Sequence, residues 1–430
     1  MPQRDEASVW SAVRAALRGT AVPRLAAGLA LSFSVTFSIS LALLRPIAIG
    51  HEYGLAIACT IFLAALAVWH RWPRPFFHNA WVLGAAFVAA GIVGFLKLAA
   101  LPATLPDHCE IIRVYASVFE LLDQGLNPYV VPGVYHADAA GQAVWGTFNY
   151  PPLEILPFWL ARQITGQWDA TIFIGTVLTL DIAALAVLRR TLPEVPLWKL
   201  AAYFPALVLL NLHTNVALTF LFVVLVLHRL VTQARNPHGR QRWVLWALLG
   251  LGLNAKFLII PLAATCWWHG VRFDRTRTLA GAAADLLIMA GVAVVVMAPF
   301  GVPEVWRSTV LFNLQLDERA VMTTYYPNVV SALFYLLDGR PLYPFFAVAL
   351  FGAAVAAGSR LSFGGALLAA CVAFQLVVPT PEFQYMPVLL CLALVVAHAP
   401  DVFGGHHAAR WLVPEPAISR CPPGWTLRGQ

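Results

Sequence analysis

Five carboxylates, Asp107, Glu110, Glu120, Asp123 and Asp138, share one stretch of the chain with a single arginine, Arg113. A carboxylate held beside a hydroxyl can take its proton as a bond forms, and several together can hold a divalent cation. Farther on, Lys256 stands in the middle of a long apolar run, LLGLGLNAKFLII. A lysine there either snorkels to an interface or meets an anion, because an uncompensated charge in lipid is expensive. A second acid-and-base stretch holds Asp317, Glu318 and Arg319, and His213 and Asn215 open an apolar segment beside Asn211. Asparagine at that point fits a helix cap as well as a ligand. Tyr129, Tyr150, Tyr325, Tyr326 and Tyr385 fit the aromatic belts found where a membrane meets water.

These residues need elements to hold them. The stretch 107–124, DHCEIIRVYASVFELLDQ, repeats with a helical period. Ile111, Tyr115, Val118 and Leu122 form an apolar stripe, and Glu110, Arg113, Ser117, Glu120 and Gln124 a polar one. Pro106–Asp107 suits the start of this helix and Gly125 its stop. The helix is expected to lie along the outer membrane interface, acidic face toward water or a cavity. GLNPY (125–129) and FNYPPLEILPF (148–158) follow. The paired prolines Pro151 and Pro152 forbid a regular helix and impose extended backbone ahead of them. The apolar piece 151–163 is short for a full span and suits a helix dipping inward from the bilayer surface.

Composition sets the larger frame. The 430 residues are 60% hydrophobic and 11% charged, with mean hydropathy +0.73. Soluble domains carry about 25% charged residues, so an ordinary soluble enzyme and a disordered chain are both excluded. An all-α polytopic transmembrane bundle is expected. Apolar runs near 25–44, 54–70, 80–101, 170–188, 198–212, 215–231, 279–299, 341–359, 362–379 and 383–399 suit spanning helices. The run 243–270 has Asn254 and Lys256 at its centre and arginines at both ends, Arg240 and Arg242 before, Arg272, Arg275 and Arg277 after. Two short helices turning near Asn254–Lys256 keep both arginine clusters on one side, as the positive-inside tendency asks.

Leaving 151–163 and 327–338 as re-entrant segments gives about twelve crossings. Residues 1–24 and 400–430 are then cytoplasmic, and the domain between, 25–399, carries external loops 102–150 and 300–326. Most of the 28 Lys and Arg fall inside and most of the 21 Asp and Glu outside. The net charge of +7 follows from that asymmetry and implies no nucleic-acid partner. The six cysteines match no metal-site spacing and no disulfide framework. No nucleotide-binding glycine loop, HExxH or GxSxG is present.

The order of these motifs resembles that of the GT-C glycosyltransferases, membrane enzymes that use polyprenyl-phosphate sugars, and most closely their bacterial mannosyltransferase-like branch. The resembling residues are an acid early in the first external loop, the amphipathic helix, Gly125-x-Asn127-Pro128-Tyr129 and Tyr150-Pro151-Pro152-Leu153. Asn211–Asn215 stands where that family often shows Gly-Gln-x-Asn, with Leu212 and His213 replacing its glycine and glutamine. Leu249–Lys256 matches a Gly-rich helix ending in lysine, and Pro299-Phe300 with Tyr385 and Pro387 completes the series over roughly 105–390. The family acid is usually aspartate; here Glu110 holds its position, with Asp107 one helical turn earlier.

The resemblance implies transfer of a sugar, mannose by default, from a polyprenyl-phosphate donor to a hydroxyl of a glycan or glycolipid acceptor. The reaction would take place at the outer face of the plasma (inner) membrane. Glu110 is then the expected general base, with Asp107 as second choice or tuning partner. The leaving phosphate needs fixed positive charge, for which Lys256 leads and Arg113 and Arg319 follow. Tyr129, Tyr150, His213, Asn215 and Tyr385 are the expected substrate contacts. No cofactor is required; the outer acids could hold one Mg or Mn ion. The alternative reading is a transporter or flippase of lipid-linked sugars.

Overall fold

The computed structural model describes residues 110–137, 143–195, 216–235, 242–273, 278–311 and 340–377, with parts of 388–404. The expected spans before residue 102, the span 198–212 and the segment 327–338 lie outside the described residues.

Helix α1, Glu110–Asp123, ends as its sequence asks. Gly125 takes φ 71°, its amide donates to Leu122, and that of Leu126 reaches back to Leu121. These two bonds make a Schellman stop, in which a left-handed residue satisfies the last carbonyls. Strands β1, Val134–Ala137, and β2, Ala143–Gly146, then pair antiparallel with Tyr135 opposite Trp145. This hairpin is the one departure from helix and turn among the described residues. A 3-10 turn, Pro152–Glu154, leads into α2, Ile155–Thr165. At about 1.5 Å per residue α2 is roughly 16 Å long, too short to cross a hydrocarbon core of about 30 Å.

Helix α3, Ala170–Thr191, is capped by Asp169, whose carboxylate accepts from the Ile172 amide. Helices α4, Ala217–Arg235, α5, Arg242–Leu253, α6, Ile260–Phe273, and α7, Leu279–Met297, follow. The pair α8, Tyr343–Gly358, and α9, Phe363–Val377, closes the described bundle. Three helices, Ala170–Thr191, Ala217–Arg235 and α7 with its 3-10 extension to Phe300, are long and apolar enough to cross a membrane. That places the chain with membrane proteins.

The side chains along α7 fix the path of its neighbours. Arg242, at the start of α5, pairs with Asp285, and Asn254, just past its end, donates to the Ala293 carbonyl at 3.2 Å. Helices α5 and α7 therefore run parallel. Trp267, well into α6, donates to Ala282, so α6 runs back toward the start of α7. Helices α5 and α6 are thus the two arms of a hairpin whose tip is Asn254–Lys256. Gly250 makes the close approach possible: a Cβ there would meet the Met289 carbonyl oxygen at 2.5 Å. Short links, 236–241 and 274–277, then put Arg235, Arg242 and Arg272 at one end of the bundle.

Candidate functional site

The opposite end of the bundle carries α1 and the loop after it. One face of α1 is buried on aromatic side chains: Tyr115 meets Phe158 at 4.7 Å between ring centroids, and Phe119 meets Trp168 at 5.0 Å. Such pairs contribute about 0.5–1.5 kcal/mol each beyond burial. The Trp168 indole N–H also donates to the Ile112 carbonyl, and Arg162 of α2 forks onto Asp123. That guanidinium holds the Asp123 carboxyl below its ordinary range. The apolar side of α1 is thus covered by protein.

The expected polar stripe is split. Arg113 and Glu120 are exposed, whereas Ser117 is buried, donating to Val114 and accepting from the Tyr135 amide at 2.9 Å. A hydroxyl there supplies the acceptor that β1 needs. Arg113 lies over the Tyr135 ring at 5.7 Å, turned to the hairpin.

The GLNPY motif is a bracket. Asn127 accepts from the Tyr129 amide through Oδ1 and donates through Nδ2 to the Phe300 carbonyl at 2.6 Å. It thereby ties the loop to the end of α7. Tyr129 is buried, and its hydroxyl donates to the Tyr150 carbonyl at 2.8 Å. Burial and the nearby Glu154 charge hold this phenol protonated far above its ordinary range, so it remains a donor. Tyr129 is a strut that fixes Tyr150.

From there the chain descends. Pro151 is extended, as the proline pair demands, and the Leu153 amide donates to the Asn254 carbonyl at 2.9 Å. The first anchor, Asn127, sits level with Phe300; the second sits level with Ala293. Seven residues of helix rise about 10 Å, so residues 148–154 drop roughly that far into the bundle. There they meet the α5–α6 tip. Lys256, in extended backbone ahead of the 3-10 turn Phe257–Ile259, sets its ammonium 5.1 Å from the Tyr150 ring centroid. Cation–π contact of this kind holds a charge without neutralising it.

Beneath this pair is a residue that sequence reading passed over. Glu154 is fully buried, and its Oε1 accepts from the Thr219 hydroxyl of α4 at 3.3 Å. Asn254 is buried too; its Nδ2 donates to Gly250 and Ala293, while its Oδ1 has no hydrogen-bond partner among the described residues. The structure therefore brings Tyr129, Tyr150 and Lys256 together and adds Glu154, Thr219 and Asn254. Glu110 begins α1, and Asp107, Arg319, His213, Asn215 and Tyr385 lie outside the described residues. Among the described residues, no three His, Cys, Asp or Glu side chains gather in one group. Comparison with protein-family models, curated proteins and solved structures returns no match.

Proposed function

We propose that this protein is a membrane glycosyltransferase that moves a sugar, mannose first among candidates, from a polyprenyl-phosphate donor to a hydroxyl of a glycan or glycolipid acceptor. The observation that carries the reading is the meeting of two distant motifs: the Tyr150–Leu153 turn and the Asn254–Lys256 tip are joined by a backbone hydrogen bond, with Lys256 over Tyr150. A fixed ammonium about 10 Å along α7 from its Phe300 end would suit a phosphate arriving from the membrane side.

In this reading the end of the bundle bearing α1 faces the outside of the plasma membrane and the arginine-bearing end faces the cytoplasm. The acceptor hydroxyl gives its proton to a carboxylate at the start of α1, Glu110 or Asp107, as its oxygen bonds to the anomeric carbon. The bond from that carbon to the phosphate oxygen breaks, and Lys256 stabilises the charge left on the phosphate. Incubating purified protein with a panel of polyprenyl-phosphate sugars and an acceptor-containing membrane extract, with products identified by mass spectrometry, tests it. A sugar-extended acceptor is expected. Movement of intact lipid-linked sugar across proteoliposomes without any acceptor would replace the reading with a flippase.

A further inference from the structure

Glu154 has no role in the chemistry just described, yet its carboxylate is entirely buried in an apolar bundle. Burying a carboxylate is expensive unless something in its surroundings makes use of the charge. Three connections show what lies around it. Thr219 donates to Oε1. Tyr129, whose phenol feels the Glu154 charge, fixes the Tyr150 carbonyl. Leu153, the residue before Glu154, is bonded to Asn254, two residues before Lys256. Glu154 and Lys256 therefore stand one and two residues from the same backbone bridge.

Lys256 needs help to stay charged. It stands half-buried at the tip of an apolar hairpin, where partial loss of water disfavours the charged form. A Tyr150 ring attracts an ammonium but compensates little of that loss. A carboxylate shielded from water acts over a longer range than one in solvent, because little solvent screens it. We propose that Glu154 is a positioning residue whose buried carboxylate keeps Lys256 charged over Tyr150, ready for the phosphate of a lipid-linked donor. The donor clause rests on the function proposed above; the coupling of Glu154 to Lys256 does not. Among the described residues, the other titratable groups bonded to the turn are Tyr115 from α1, whose hydroxyl donates to the Glu154 carbonyl, and Tyr129 and Tyr150 from the loop; Glu304 and Arg307 follow Phe300 in the chain. Helix α4 adds the uncharged Thr219.

The full chain has only three lysines, Lys97, Lys199 and Lys256, so the titration of Lys256 can be read directly. Reductive methylation with 13C-formaldehyde gives three dimethyl-lysine signals, and Lys256→Arg identifies the one that matters. In Glu154→Gln, which keeps an acceptor for Thr219 but no charge, the Lys256 midpoint is expected to fall by about one pH unit. Glu154→Asp should hold it near the parent value, and the other two signals should not move. An unchanged Lys256 midpoint in Glu154→Gln overturns the proposal. If that variant does not fold, the parent protein decides: a Lys256 midpoint well below that of the other two lysines overturns it, and one level with them supports it. A shift in Glu154→Gln alongside absence of any sugar transfer by the parent would keep the coupling and remove the transferase reading.

Discussion

The Leu153 amide and the Asn254 carbonyl meet at 2.9 Å, joining the proline turn of the first loop to the tip of the α5–α6 hairpin. Each partner is fixed independently. Tyr129 holds the turn from above through Tyr150, and Asn254 is held against α7 through Ala293. The bond therefore sets how Tyr150 lies against Lys256, and the site depends on contacts among three separate segments of chain.

The proposed base can be removed without altering the scaffold. Glu110→Gln and Asp107→Asn are expected to leave membrane insertion and gel-filtration behaviour unchanged. Sugar transfer should fall by about 10²- to 10⁴-fold in the variant that lacks the base. Full activity in the double variant would remove both carboxylates from the mechanism.

Lys256→Met keeps most of the length and the apolar character of the stem but removes the charge. Loss of a fixed positive group facing a leaving phosphate should lower kcat/KM for the donor by about 10²-fold, with acceptor KM little changed. Initial rates at varied donor and acceptor check the split.

Asn127 makes its two bonds in a partly buried setting. Asn127→Ala leaves the Phe300 carbonyl and the Tyr129 amide without that partner and should cost about 1–3 kcal/mol. A lowered midpoint in a thermal unfolding series in detergent, together with reduced donor affinity, is the expected result.

Gly250→Ala drives a methyl group into the Met289 carbonyl oxygen, 2.5 Å from where the Cβ would stand. Backbone cannot yield as a side chain can, so a loss of about 1–3 kcal/mol is expected. Gly175→Ala, with nothing within 4 Å of its Cβ, is the control and should be neutral or slightly stabilising in a helix.

The Arg242–Asp285 pair is asymmetric, with Asp285 nearly buried and Arg242 25% exposed at the side chain. Asp285→Asn strands a guanidinium that solvent reaches only in part, at a cost of about 2 kcal/mol. Replacing both residues, as Arg242→Met with Asp285→Leu, should recover much of that loss. A double-mutant cycle on thermal unfolding measures it.

Some of this was legible in the sequence because the signals are local. Gly125 stops its helix by a conformation that glycine adopts readily, and the proline pair forces its own extended backbone. The hairpin at Asn254–Lys256 could be read from arginines at both ends of one apolar run, a constraint that charge imposes on any membrane segment. Glu154 could not be read this way. It looks like an acid in the first turn of a helix, and its burial depends on distant parts of the chain such as Thr219, 65 residues later. Ser117 falls on the polar stripe by spacing, yet it is buried because β1 needs an acceptor for the Tyr135 amide. The strands themselves, VYHA and AVWG, are four residues each, too short for alternation to stand out from loop.

The bridge between Leu153 and Asn254 also orders events at the ribosome. The residue that receives the bond is made about 100 residues after the one that presents it, which at roughly 5–20 residues per second is on the order of 5–20 seconds of synthesis. Through that interval the turn lacks this one bond, although Tyr129 can already hold Tyr150 and Thr219, the partner of Glu154, precedes Asn254 in the chain. Closure of the bridge is therefore a late step of biogenesis, taken when the α5–α6 hairpin arrives. Neither arm of that hairpin is long enough to cross on its own, so the two must enter the membrane as a pair.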